Sequence, residues 1–190
     1  MPRECKNCVI GRLQAAPGFA ATLIMNAEAG LSSYLVVIYG TAAASRDTAW
    51  QLARTLPGKS AVLSVDGLLA GAIASSDDDV PAELDMAYIQ LRLLVANYMR
   101  NGYHVVVEGA FFHERDGQTH RHEQDIDQLV ALMRNMTRKA LMVHLRPSGE
   151  GSRFEYRQRY GGNALSLHAD GGSAAAAEAI RDKLLAEESG

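Results

Sequence analysis

Residues 35–48 read LVVIYGTAAASRDT, and the reading of this stretch decides the fold. Leu35 to Ile38 are apolar and mostly β-branched, with no polar face. That composition suits a strand buried on both sides, as in a parallel sheet. The run closes at Tyr39-Gly40, an exit from strand into helix. A turn of this kind holds phosphate when its N–H groups converge on the anion with a helix N-terminus behind them. Set against GxxxxGK[ST], Gly40 matches, and Thr41, Ala42, Ala43 and Ala44 fill the free positions. Ser45 then stands for the second glycine, Arg46 for the lysine and Asp47 for the hydroxyl, with Thr48 one place later. Arg46 keeps the positive charge in a bulkier planar fork. Ser45 adds a Cβ where such a loop wants positive φ. As a pattern the match fails; in context the stretch predicts either a phosphate loop over Gly40–Thr48 with two chemical departures, Ser45 and Arg46, or a strand–turn–helix that binds no nucleotide.

Outward from this stretch, apolar runs and helical patterns alternate. TAWQLARTL, residues 48–56, places Trp50, Ala53 and Leu56 at helical spacing and stops at Pro57-Gly58. SAVLSVDG predicts a second strand, and ASSDDDVP a polar loop with Asp77, Asp78 and Asp79. AELDMAYIQLRLLVANYMRNG is a long amphipathic helix closed by Asn101-Gly102. YHVVVEGAFF repeats the buried-strand pattern, and a histidine-rich polar loop leads into the helix IDQLVALMRNMTRK. KALMVHLRP is a fourth strand, SRFEYRQRYGG a short basic helix and NALSLHAD a weaker fifth strand. SAAAAEAIRDKLLAEE ends the pattern as a helix with Ser173 as its N-cap. Five strands separated by helices predict a three-layer α/β/α sandwich around a five-stranded, mainly parallel sheet.

Bulk properties narrow the function classes. A chain of 190 residues, 47% hydrophobic, is most simply one domain with a full core. Residues 34–190 carry the alternating pattern. Residues 1–33 stand apart as an N-terminal extension, read as a flexible arm, as a poorly packed extra helix, or as a sign that synthesis begins at Met25. A net charge of −3 and pI near 6.1 give no electrostatic case for nucleic acid or a membrane surface. No apolar run is long enough to span a bilayer. Cys5 and Cys8, in CKNC, lack a second pair to complete a zinc site, so two free thiols in a reducing cytoplasm is the simpler reading.

Ligands of such sheets sit beyond the carboxyl ends of the strands. Asp66 follows the second strand, where it could take a proton from an acceptor hydroxyl; Asp-Gly also forms turns for local reasons. Glu108 closes VVVEG, placed to orient a metal ion or its water. Arg153 and Arg157 share a helical face, with Arg159 and Arg146 near in sequence; they could neutralise phosphoryl charge or form a solvated face. His113, His120 and His122 lie among Glu114, Asp116 and Glu123, in a spacing that suits a solvated lid loop better than a defined ligand set.

In this order the pieces resemble the small-molecule P-loop kinases, the group that includes nucleoside monophosphate kinases, shikimate kinase, chloramphenicol phosphotransferase and zeta toxins. The resemblance runs from about Tyr34 to Glu188. It implies ATP with Mg²⁺ as cofactors and transfer of the γ-phosphoryl group to a small-molecule acceptor. Gly40 to Thr48 would hold the phosphates, with Arg46 in the lysine's place. Thr48 and Glu108 would serve the metal, Asp66 would act as base, and Arg153 and Arg157 would belong to the lid. The rival reading is a pseudokinase, the same fold kept as a nucleotide-binding or interaction module without phosphoryl transfer. Ser45 and Arg46 favour it.

Overall fold

A computed structural model describes residues 33–40, 42–72, 80–109, 112–115, 118–121, 123–133, 139–146 and 164–186. The first half of the chain forms β1 (Tyr34–Gly40), α1 (Ala42–Thr55), β2 (Lys59–Ser64), α2 (Val65–Ala72), α3 (Val80–Arg100) and β3 (Tyr103–Glu108). There follow β4 (Phe112–Arg115), β5 (Gln118–Arg121), α4 (Glu123–Met133), β6 (Lys139–Arg146) and β7 (Ala164–His168). A 3-10 turn at Ala169–Gly171 leads into α5 (Gly172–Leu185). Five strands make one sheet in the order β2-β3-β1-β6-β7, every pair parallel. This is the expected α/β sandwich.

The apolar run of β1 explains why the sheet is covered on both sides. Leu35, Val37 and Tyr39 enter one core cluster with Val105, Val107 and Met142, beneath Leu84, Tyr88, Leu91, Val95 and Met99 of α3 and Ile126 and Leu129 of α4. Tyr34, Val36 and Ile38 enter the other with Val106, Leu141, Val143 and Leu145, beneath Ala49 and Leu52 of α1 and Ala176, Ala177, Ile180 and Leu184 of α5. Side chains alternate across a strand, so a strand with apolar residues at both parities demands two helical layers. Each such side chain, fully buried, contributes roughly 1.5–3 kcal/mol. At the amino edge, Lys139 Nζ donates to the Lys183 carbonyl at 2.9 Å, a cation tying β6 to the last turn of α5.

The helix stops fall where the sequence marks them. At the end of α3, the Asn101 and Gly102 N–H groups donate to the Tyr98 and Met99 carbonyls at 3.1 and 3.0 Å. Gly102 sits at φ 75, a conformation that favours glycine. The end of α1 closes with the Leu56 N–H on the Leu52 carbonyl, 3.1 Å, ahead of Pro57 and Gly58.

Several expectations are corrected. α1 begins at Ala42 rather than at residue 48, because Ala42, Ala43 and Ala44 are the best helix-forming residue type and nothing after Gly40 interrupts them. Trp50 is not on the buried face. Ser45, Thr48, Ala49, Leu52 and Leu56 face inward, whereas Trp50 is 51% exposed. The second strand ends at Ser64, and Val65 to Ala72 wind into a helix. The histidine-rich loop contains an antiparallel hairpin, with His113 opposite His120 in register. The N-cap of α5 is Gly171, without a side-chain cap bond, and Ser173 lies inside the first turn. Residues 1–32, the Asp77–Asp79 run and the basic segment 151–163 lie outside the described residues.

One buried histidine ties the amino edge of β3 to its neighbours. His104 Nδ1 accepts the Tyr34 N–H at 3.1 Å, and Nε2 meets the Pro57 carbonyl oxygen at 2.6 Å. A carbonyl only accepts, so Nε2 carries the proton and the ring is neutral. Its ring also stacks on Tyr34, centroids 4.9 Å apart. Burial lowers the His104 pKa, against a smaller raising effect of the Pro57 hydrogen bond. A base held below its ordinary value of 6.5 gives stability that is complete above that value and lost as pH falls beneath it. His104→Phe keeps the stack but strands the Tyr34 N–H and the Pro57 carbonyl, at about 1–3 kcal/mol. Thermal melts by circular dichroism should show His104→Phe melting lower at pH 7.5, with a shallower fall toward pH 5 than the parent.

Candidate functional site at the carboxyl edge of the sheet

β1 is central, and the chain leaves it outward through α1 to β2 but leaves β3 across the sheet to β6. The ends of β1 and β3 therefore bound the crevice where open parallel sheets hold ligands. Two glycines stand there for reasons of space. A Cβ on Gly40 would run into the Leu145 carbonyl oxygen of β6, and one on Gly109 would stand 2.8 Å from the Val65 Cβ. Close approach of neighbouring strand and helix accounts for both, with no ligand invoked.

Glu108 is the electrostatic centre of the edge. Register places it level with Ile38 and Ser64, on the side that α1 covers. It is 1% exposed, and its Oε1 lies 3.8 Å from Nε of Arg46, whose side chain is 55% exposed. Its Oε2 has no hydrogen-bond partner among the described residues. Burial raises the Glu108 pKa; a hydrogen bond with the Ser64 side chain and the Arg46 charge oppose this, and the Asp66 charge adds to it. Arg46 and Asp66 thus both act on Glu108, one by attraction and the other by repulsion. Ser64 was missed. Its Oγ accepts the Gly67 N–H at 3.1 Å, which makes it the N-cap of α2, while Asp66 sits in the first helical turn. The Ser-Val-Asp-Gly order carried that signal.

The stretch Gly40–Thr48 is not a loop. Gly40 ends β1, and Ala42, Ala43, Ala44, Ser45, Arg46, Asp47 and Thr48 all belong to α1. In an α-helix the N–H groups of residues 46–48 bond back to the carbonyls of residues 42–44. Those three amides are then committed within the helix. Ser45 is fully buried, and its Oγ has no partner among the described residues. Thr48 is buried six residues into the helix, about 9 Å along its axis from Ala42. A magnesium–nucleotide group needs a hydroxyl in the first turn and a free cation beside the phosphates. The described residues do not fit it, since Thr48 is too deep and Arg46 faces Glu108. Among the described residues no group of three or more His, Cys, Asp or Glu could hold a metal ion. Thr41, Arg153, Arg157 and His122 lie outside the described residues. No described helix is long and apolar enough to cross a membrane.

Farther along the edge, His144 stacks on Tyr39, centroids 4.7 Å apart and rings 8° from parallel. Burial, and next the Arg146 charge, lower its pKa. Both effects favour the neutral ring.

No family model matches the chain, and no curated protein matches it in sequence. Solved structures do. A mutant of the APS kinase CysC of Mycobacterium tuberculosis superposes with a TM-score of 0.54 at 16% identity, covering 80% of this chain and 96% of that one. The protein APE1195 superposes with a TM-score of 0.57 at 12% identity, covering 82% of this chain and 95% of that one. At such identities the likeness is one of fold, and the fold is kinase-like.

The buried carboxylate gives a test of the site's electrostatics. An acid with a raised pKa favours the fold below its ordinary value of 4.5 and loses that contribution as pH rises through the folded value. Glu108→Gln removes the buried charge and leaves Arg46 to water. Urea unfolding should show the variant gaining on the parent from pH 4 to pH 8. A gap that stays constant or narrows contradicts the placement of Glu108.

Proposed function

We propose that this chain is a pseudokinase: a kinase-fold module that acts by binding and carries out no phosphoryl transfer. One observation supports the reading above the rest, namely that α1 starts at Ala42. Winding residues 42–48 into helix takes up N–H groups that a phosphate loop would aim at the anion, and it draws Thr48 away from the edge. The Arg46–Glu108 pair adds to it. A cation standing in for the phosphate lysine is already matched by a buried carboxylate of the chain itself.

The second reading is a small-molecule phosphotransferase that uses ATP and Mg²⁺. The assembly of Asp66, Glu108 and Arg46 at one strand edge favours it, because a base, a metal-orienting acid and a phosphate cation are what that chemistry uses. Arg46 would meet the phosphates, Asp66 would take the acceptor's proton, and Arg153 and Arg157 would close over the transferring group. This reading needs the first two turns of α1 to unwind.

Titration calorimetry and a phosphoryl-transfer assay over a panel of small hydroxyl acceptors separate the two. The pseudokinase reading expects no turnover from the parent with millimolar Mg²⁺ and ATP. It also expects none from the Ser45→Gly, Arg46→Lys double variant, which restores the chemical groups but not the loop. Turnover by the parent overturns the reading. Turnover by the double variant alone shows that α1 opens readily and that only its side chains had been lost. Trp50, the single tryptophan, lies one turn beyond Arg46 on the same helix, so its fluorescence reports nucleotide at this end directly.

A further inference from the structure

The outer face of α3 is apolar where solvent meets it. Met86, Ile89 and Leu93 are 48%, 43% and 67% exposed, while Leu84, Tyr88, Leu91 and Val95 are buried on the opposite side. At about 100° per residue the three exposed side chains fall in a sector roughly 60° wide, facing directly away from the sheet. Single exposed apolar residues are ordinary, but a continuous stripe on one helix marks a contact surface.

We propose that this stripe docks on the same stripe of a second copy of the chain, α3 against α3, antiparallel about a twofold axis near Ile89. The residues flanking Ile89 select this occupant. Large apolar side chains stand three places before it and four after. An antiparallel pair therefore sets Met86 against the partner's Leu93, and Leu93 against the partner's Met86, with the two Ile89 side chains between. Asp85 lies four before and Arg92 three after, on one flank of the stripe and with opposite charges. A twofold axis lays that flank on itself in reverse, so Asp85 meets the partner's Arg92 in two equivalent pairs. A flank of one sign would repel its own copy, whereas this one attracts it. Arg92 Nη1 also donates to Gln128 Oε1 of α4 at 3.0 Å, which holds the guanidinium on this flank. Gln128 is not the only group that Arg92 meets within its own chain, and the contact across the axis is one more for a planar group with five N–H donors.

The size of the stripe sets the strength. Three side chains fall short of the ~800 Å² per partner of a standard stable interface, so the dimer is expected to be weak and to form in a concentration-dependent way. The proposal stands independently of whether the chain transfers phosphate. Sedimentation equilibrium on the full chain over a concentration series should show mass rising from monomer toward dimer. Leu93→Glu, at a position outside the core, should weaken association at least tenfold while circular dichroism stays unchanged. Asp85→Arg should also weaken it at least tenfold, and the Asp85→Arg, Arg92→Asp double variant should recover it. A monomer at every concentration overturns the proposal, as does a dimer indifferent to Leu93→Glu. Failure of the charge-reversed pair to recover overturns the antiparallel register. A monomer whose residues 1–32 become protease-sensitive in Leu93→Glu would assign the face to that segment instead.

Discussion

The structure depends on β1 having no side that tolerates water. Every residue from Tyr34 to Tyr39 is buried. The strand pairs in parallel with β3 on one flank and β6 on the other, so its backbone groups are satisfied only from within the sheet. Two apolar faces then require α1 and α5 on one side and α3 and α4 on the other. The same strand fixes the sheet's carboxyl edge, because Gly40 passes so close to the Leu145 carbonyl that no side chain could replace its hydrogen. Layers, strand order and the position of the crevice all follow from six apolar residues and a glycine.

What sits at that crevice is a conflict between burial and charge. Glu108 continues the inward register of Val106, so the pleat that buries the valine also buries the carboxylate. Desolvation works against its ionised form, and an arginine 3.8 Å away and the Ser64 hydroxyl only partly offset that. A buried ion pair is weak evidence for stability, since desolvating the charges costs as much as their attraction returns. The carboxylate is better understood as something the fold tolerates than as something that holds it together. That is why its position invites a functional reading, and why the arginine that faces it bears so directly on which function is chosen.

Much of this was legible in the sequence. The strand at Tyr34–Gly40, the stop at Asn101-Gly102 and the five-strand alternation rest on local signals that the tertiary structure does not override. The convergence of Asp66 and Glu108 followed from the rule that strand ends share one edge. The errors arose where a motif was read ahead of propensity. The stretch Gly40–Thr48 was read as a loop because its spacing approached a known pattern, although three consecutive alanines form helix more readily than any other residue. Trp50, Ala53 and Leu56 were grouped on helical spacing alone, but a helix packed on a sheet and on α5 buries only one face, and Trp50 lies off it. The hairpin at β4 and β5 was hidden because its polar, histidine-rich strands lack the apolar alternation that reveals a buried strand.

The conformation after β1 is set by local propensity as well as by the core. The core clusters lie beneath the helices and along the strands, and α1 meets one of them through Ala44, Ala49 and Leu52. Alanine and serine lack the positive-φ freedom of glycine and favour helix over it, by up to about 1 kcal/mol for each residue. Both effects favour winding the stretch after β1 into α1, where Ser45 is buried. Arg46, next in the helix, has the Glu108 carboxylate of β3 within reach, at 3.8 Å. These preferences are local and none opposes the fold, so a helix that starts directly after β1 and a parallel sheet buried on both faces are compatible within one chain.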